Sequence, residues 1–296
     1  MFPLHLFSRK EVPAAAHEET GQPTISIMLA NIYMYNTNSH AILNLVREHT
    51  PDILLVMEIN EWWAGHLDDM TIEYPYRVKQ PLENTYGISL YSRYELQDAE
   101  VKYLVDAEIP SIHGKLKLPD GTAIRFHALH PKPPLPEESL ETTQRDAELL
   151  LLARSLKNTI QPVIVMGDLN DVSWSRVTRL FLKFSGLLDP RKGRGMYNSY
   201  NARFPLLRWQ LDHLFHSDHF RVDTIQRLPA CGSDHFPMLY TLKLRNRAGG
   251  TEDEPVLSTE ELEYAEHKIR RGSPLEKRPF SDVYPQNLPD KQTDSE

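Results

Sequence analysis

Asp168 and Asn170 stand one residue apart at the end of the run Val163-Ile164-Val165-Met166-Gly167. A carboxylate there can take a proton from water, and a carboxamide can donate to a phosphate without adding charge. Alternation along an extended chain puts both on one side and turns Leu169 back toward the core. A lone Gly-Asp-x-Asn is most often an Asx turn. Here five further runs repeat the arrangement. Ile27-Met28-Leu29-Ala30 ends in Asn31, and Ile53-Leu54-Leu55-Val56-Met57 ends in Glu58. Ile124-Arg125-Phe126-His127-Ala128-Leu129 ends in His130, Trp209-Gln210-Leu211 leads to Asp212-His213, and Gly232-Ser233 leads to Asp234-His235. Each run delivers a group able to bind a metal, take a proton or hold a phosphate.

The elements that must position these groups are buried strands, since short runs of apolar and β-branched residues bounded by Gly or polar residues read that way. Strands are expected over 25–31, 53–57, 86–92, 111–118 and 122–129, with Pro119-Asp120-Gly121 as a tight turn between the last two. A helix capped by Ser39 carries Ile42, Leu45 and Val46 up to Pro51, which joins two strands in a βαβ-like unit. The segment 131–136 is too rich in Pro to pair and is expected as a surface loop. It leads into a helix over 137–158 with Leu149, Leu152, Ala153 and Leu156 on one face. Ser173 or Asp171 is expected to cap a helix through Phe184 that Gly186 ends. Residues 190–208 form a basic loop with Arg191, Lys192, Arg194, Arg203 and Arg208, and part of it is expected to touch substrate.

Composition sets limits. The chain has 296 residues, 40% of them hydrophobic and 25% charged, which is ordinary for a folded domain. A single cysteine, Cys231, excludes an internal disulfide framework and a cysteine-based zinc site. The net charge of -8 is uneven: residues 247–296 hold 12 acidic and 7 basic side chains, leaving 29 against 26 in the rest. The motif-bearing region is therefore near neutral, and carboxylates that bind a cation would account for some of its acidity. We divide the chain into a flexible lead-in over 1–23, a catalytic domain over 24–246 and an acidic tail over 247–296. The tail carries one well-signalled helix at 259–271, with Ser258 and Glu261 as a capping box, and is otherwise expected to be disordered. Because it holds none of the polar run ends, its removal is expected to leave the chemistry of the preceding domain intact. No segment has the length and hydrophobicity of a transmembrane helix.

In order, the strings LANIYMYN, LLVMEIN, HALHPKPP, VMGDLND, WQLDHLF and GSDHFPM span roughly residues 24–244. They resemble the motif series of the endonuclease/exonuclease/phosphatase superfamily, metal-dependent phosphoesterases that include DNase I-like nucleases, apurinic endonucleases, neutral sphingomyelinases and inositol polyphosphate phosphatases. The resemblance implies a four-layer α/β/β/α sandwich, two central β-sheets packed face to face with helices outside. It implies Mg²⁺ (or Mn²⁺) held by Glu58 with support from Asn31 and with Asp234 facing the metal, a set of hard oxygen ligands suited to such ions. Asp168 would orient or deprotonate the attacking water, Asn170 would donate to the phosphate, and His235 would contact it with Asp212 fixing the ring. His130 occupies a position that is His in some branches and Tyr in others, and would donate to the phosphate or to the leaving oxygen. Trp174, Arg203, Arg208 and Ser233 are candidate substrate contacts, whereas His127, His213, His216 and His219 fit no motif role. The implied partner is a phosphoester substrate (nucleic acid, nucleotide or phospholipid headgroup) met by a monomer. A cytoplasmic location is favoured, although relatives of this appearance include membrane-associated proteins. The alternatives are a sphingomyelinase-like lipid phosphodiesterase, a phosphomonoesterase, or a catalytically silent binding module.

Overall fold

The computed structural model describes residues 22–133, 139–245 and 257–273. In chain order these form β1 (Thr24–Asn31), α1 (Ser39–His49), β2 (Ile53–Met57), α2 (Glu61–Leu67), a 3-10 turn at Asp68–Met70, β3 (Tyr76–Gln80), β4 (Ile88–Ser92) and β5 (Glu95–Lys102). There follow β6 (Ser111–Lys117), β7 (Ala123–Leu129), α3 (Ser139–Leu156), β8 (Val163–Asp168), α4 (Arg176–Ser185), β9 (Asp212–His216), β10 (Phe220–Arg227), β11 (Met238–Leu244) and α5 (Thr259–Gly272). Six strands make one sheet in the order β10-β11-β1-β2-β4-β3, and five make the other in the order β5-β6-β7-β8-β9.

Strand alternation explains why the sheets stack. Ile27, Leu29, Leu55 and Leu90 of the first sheet meet Ile124, Phe126, Ile164 and Met166 of the second in one buried cluster. The intervening residues face outward and need covers of their own. Met28, Leu54 and Val56 pack under Ile42, Val46 and Trp63 of α1 and α2, while Val163, Val165 and Phe215 pack under Leu149, Leu152 and Phe181 of α3 and α4. The result is the α/β/β/α sandwich that the sequence implied. Ala265 and Ile269 of α5 join the second helical layer, and a Cβ at Gly272 would lie 2.2 Å from the Thr143 carbonyl oxygen, so helix α5 sits directly on α3.

Several local expectations shift. Asn38 rather than Ser39 caps α1, accepting from Ala41 N at 3.3 Å. Ser175 rather than Ser173 or Asp171 caps α4, because the Asp171 carboxylate already takes the Ser175 and Thr178 hydroxyls. Gly186 ends that helix in the left-handed region, and the Ser258–Glu261 capping box starts α5. The run Trp209-Gln210-Leu211 is not a strand ending in Asp212: β9 begins at Asp212, running antiparallel to β8, with Asp168 and Asp212 opposite one another. Likewise His235 precedes β11, which runs antiparallel to β1. Strands β1, β2, β7 and β8 therefore finish at the edge where β9 and β11 begin. Residues 1–21 of the lead-in, residues 134–138 and the tail outside 257–273 lie outside the described residues. Among the described residues no helix is long and apolar enough to cross a membrane.

Candidate active site

The polar residues at this edge continue the inward-facing alternation of their strands. Leu29 faces the other sheet, so Asn31 does too; Ala128 leads to His130, Met166 to Asp168, and Asp212 precedes Leu214 on the same face. Leu169 by contrast belongs to the outer helical layer, as alternation requires. Two parallel strand pairs set the register, β1 with β2 (Asn31 opposite Met57) and β7 with β8 (Leu129 opposite Gly167). A Cβ at Gly167 would lie 1.9 Å from the Leu129 carbonyl oxygen, so only glycine lets β8 approach β7 closely enough to set His130 beside Asp168. Their Nε2 and Oδ2 atoms are 3.9 Å apart.

Asn31 joins the sheets. Its Nδ2 donates to Glu58 Oε1 at 2.8 Å and to Asp168 Oδ2 at 3.0 Å, while its Oδ1 accepts from Tyr33 N at 3.1 Å. The Asp168 N–H donates in turn to the Met57 thioether across the core. Asp168 Oδ1 accepts from Asn170 N at 3.0 Å, and Oδ2 lies 3.6 Å from His235 Nε2. His235 Nδ1 meets Asp212 Oδ2 at 2.7 Å. Burial alone would lower the His235 pKa, but the charges of Asp212 and Asp168 and the hydrogen bond to Asp212 lift it to about 10. Those two carboxylates favour the protonated ring.

Asp168, Asp212 and His235 bring three ligand atoms within 4.8 Å of one another, yet the Asp212–His235 contact is already a charge-assisted hydrogen bond. The oxygens left over fit a hard cation better. Glu58 is half-buried, its Oε2 engaged by a long 3.4 Å contact from Met34 N while Asn31 holds Oε1, and Asp212 Oδ1 is buried without a hydrogen-bond partner among the described residues. These donors are oxygens and no thiol joins them, which suits Mg²⁺ or Mn²⁺.

The other expected residues take varied places. Asn170, at φ +50°, donates its Nδ2 to the Pro131 carbonyl at 2.9 Å and so ties the turn after β8 to the segment after β7. Asp234 accepts from Ala202 N through its carbonyl, and Ser233 Oγ accepts from His235 N at 3.0 Å, which makes Ser233 a turn-shaping group. Trp174 is half-buried between β8 and α4. The Arg203 guanidinium lies 4.6 Å above the Tyr33 ring, and Arg208 lies 5.0 Å above Phe236. Arg191 is not on the basic surface expected of its loop: it is fully buried, paired through two nitrogens with Asp189 and 2.6 Å from His213 Nδ1. Burial and the Arg191 charge push the His213 pKa down to about 3, and the neutral ring meets the Asp171 carbonyl behind Asp212.

Four supports escaped sequence reasoning. Ser199 Oγ accepts from Asp212 N at 3.1 Å. The Tyr200 ring lies 4.9 Å from that of His235. Asn36 Nδ2 donates to the Ile32 and Cys231 carbonyls and clamps the loop carrying His235. Arg145 Nη1 donates to the Asn170 carbonyl at 2.7 Å; it is held by Asp146, which Lys268 of α5 grips at 2.7 Å. None of the four sits at the end of an apolar run, so no local pattern marks it.

Comparison with known proteins places the fold and the family. The fold is shared with TDP2 of D. rerio complexed with single strand DNA product (TM-score 0.62, 15% identity, 74% of this chain and 99% of that one). It is also shared with the human Nocturnin catalytic domain with bound sulfate anion (TM-score 0.60, 18% identity, 75% and 94%). An endonuclease/exonuclease/phosphatase family protein from Bacteroides thetaiotaomicron matches similarly (TM-score 0.58, 18% identity, 76% and 99%). No curated protein sequence matches the chain. The family model for the endonuclease/exonuclease/phosphatase family matches residues 28–235, more than half of the sequence, and the chain belongs to that family.

Proposed function

We propose that this protein hydrolyses phosphoester bonds with a bound divalent cation, Mg²⁺ or Mn²⁺. The observation that carries the reading is the convergence of Asn31, Glu58, His130, Asp168, Asp212 and His235 from the two sheets onto one edge. Glu58 would hold the cation, with Asn31 orienting its carboxylate; when bound, the cation neutralises charge on the phosphoryl oxygens. Asp168 accepts the proton of the attacking water. The amide donors of Asn31 and Asn170 N fix its two oxygens, and no solvent shell has to reorganise around it. His235, kept protonated by Asp212, offers Nε2–H to a non-bridging oxygen where negative charge develops. His130 Nε2 lies 3.9 Å from Asp168 Oδ2 and would donate to the leaving oxygen. Asn170 has one amide hydrogen committed to Pro131, and the second is available to the phosphate.

Phosphodiesters are the favoured class, with nucleic acid, nucleotides and lipid headgroups all within the chemistry. The D. rerio relative was captured with a single-strand DNA product, which keeps nucleic acid in the set. A silent binding module is disfavoured because each of these positions carries a group that can work. The test is hydrolysis of bis(4-nitrophenyl) phosphate by the full chain. Activity should need Mg²⁺ or Mn²⁺, vanish in excess chelator and return on adding metal, and turnover that persists in chelator would overturn the metal assignment.

A further inference from the structure

The segment that touches His235 through Tyr200 also projects away from the protein. Tyr200 and Trp209 bridge its base, Asn201 N donates to the Leu207 carbonyl at 3.3 Å, and Ala202 N donates to the Asp234 carbonyl at 2.7 Å. Beyond that base the chain reads Phe204-Pro205-Leu206-Leu207, with Phe204 60% exposed, Leu206 95% and Leu207 60%, while Trp209 is 44% exposed. Scattered apolar side chains on a surface need no explanation, but a contiguous apolar tip anchored to a catalytic histidine does.

Three cations flank this tip. Arg203 stacks on Tyr33, and Arg208 and Arg227 both stack on Phe236, at 5.0 and 4.6 Å. Partial burial, then the charge of Arg208, lowers the Arg227 pKa, as expected of two neighbouring cations. Among the described residues none of the three is paired with a carboxylate, whereas most basic residues of the β5–β6 edge are. An apolar tip flanked by guanidinium groups that no carboxylate neutralises matches the two layers of a bilayer surface, hydrocarbon beneath and phosphate above. Nucleic acid would have to rest on Phe204 and Trp209 alone, because Leu206, the most exposed of the four, and Leu207 offer no face on which a base can stack.

We propose that the Tyr200–Trp209 loop is a membrane-docking element that inserts Phe204, Leu206 and Leu207 into an anionic lipid surface and seats the mouth of the site on it. This docking does not depend on the phosphoesterase reading, and the two fail separately.

The experiment is cosedimentation of the full chain with vesicles of equal parts phosphatidylcholine and phosphatidylglycerol. The wild-type chain should sediment with them, less with phosphatidylcholine alone, and Leu206→Glu/Leu207→Glu should weaken binding at least about tenfold. Hydrolysis of soluble bis(4-nitrophenyl) phosphate should be unchanged in that variant, since neither leucine reaches the site. Circular dichroism checks its fold, and the milder Phe204→Ser provides a second reading if the double variant is unstable. The inference falls if the wild-type chain ignores the anionic vesicles or if the variants bind them as well as the wild type. It also falls if vesicles are ignored while a single-stranded oligonucleotide is bound and then released by the same substitutions. Vesicle binding that the substitutions remove, in a protein without phosphoesterase activity, would support docking and overturn the function proposed above.

Discussion

The two sheets bring matching devices to the site and put them in opposite surroundings. Each contributes a parallel strand pair that ends in polar side chains, β1 and β2 with Asn31 and Glu58, β7 and β8 with His130 and Asp168. On the first sheet Glu58 is half-buried, with Oε1 on Asn31 Nδ2 and Oε2 at 3.4 Å from Met34 N, whereas on the second Asp168 and Asp212 are buried and locked onto His235, with His130 buried beside Asp168. The difference suits two tasks. A cation that must be acquired from water needs an open carboxylate, while protons and fixed charges work best where little water competes.

The largest effects should come from the locked side. Asp168→Asn and Asp212→Asn should each lower kcat on the order of a thousandfold with circular dichroism unchanged, and extra Mg²⁺ should not restore the Asp168→Asn variant. The first removes the acceptor for the water proton, the second the carboxylate that keeps His235 charged. Their double mutant should lose far less than the product of the two, because both serve one transition state. Near wild-type turnover in either single variant would remove that residue from the mechanism. On the open side, Glu58→Gln should raise the Mg²⁺ concentration giving half-maximal activity by roughly ten- to a hundredfold, with much of kcat recovered at saturation. A metal titration that does not shift would erase the contrast between the sheets.

Smaller effects probe how the locked side is braced. The sequence suggests that the tail is dispensable, but Lys268 of α5 reaches the Asn170 turn through Asp146 and Arg145. Lys268→Met should lower kcat by about two- to fivefold while leaving KM for a soluble diester nearly unchanged. An unchanged kcat would restore the simpler view of the tail. The smallest effect concerns dryness itself. Glu148 on α3 is fully buried, and burial, with the charge of Asp106 adding to it, lifts its pKa to about 8. A carboxyl raised in the fold stabilises it fully below the unfolded value of 4.5, and that contribution is lost as pH climbs toward about 8. Glu148→Gln should therefore raise Tm little at pH 5 and increasingly up to pH 8, and thermal scans across that range would show it.

What was legible in the sequence follows the same division between inside and edge. Strands β1, β2, β7 and β8 announced themselves because both of their faces are covered, so nearly every residue is apolar. Strands β3 and β5 did not. They lie at sheet edges, where Lys79 pairs with Asp68 at 2.8 Å and Glu95 with Lys117 at 3.1 Å, and charged edges carry no periodic signal. Polar residues at the ends of buried strands were visible as chemistry for that reason. Arg191 was misplaced because a basic residue in a Gly-rich loop reads alike whether it meets water or a buried Asp189. Asn36 and Arg145 were invisible because their partners lie 195 and 25 residues away in sequence.

Asn31 gives the comparison a thermal meaning. One carboxamide nitrogen uses its two hydrogens on Glu58 and Asp168, so the spacing between the open and the locked side is inherited from how the sheets stack. No flap or hinge has to close to create it. Activity on a small substrate should then rise smoothly with warming until the sandwich itself opens, and vanish within the same narrow interval in which the near-UV signal of its buried aromatic rings collapses.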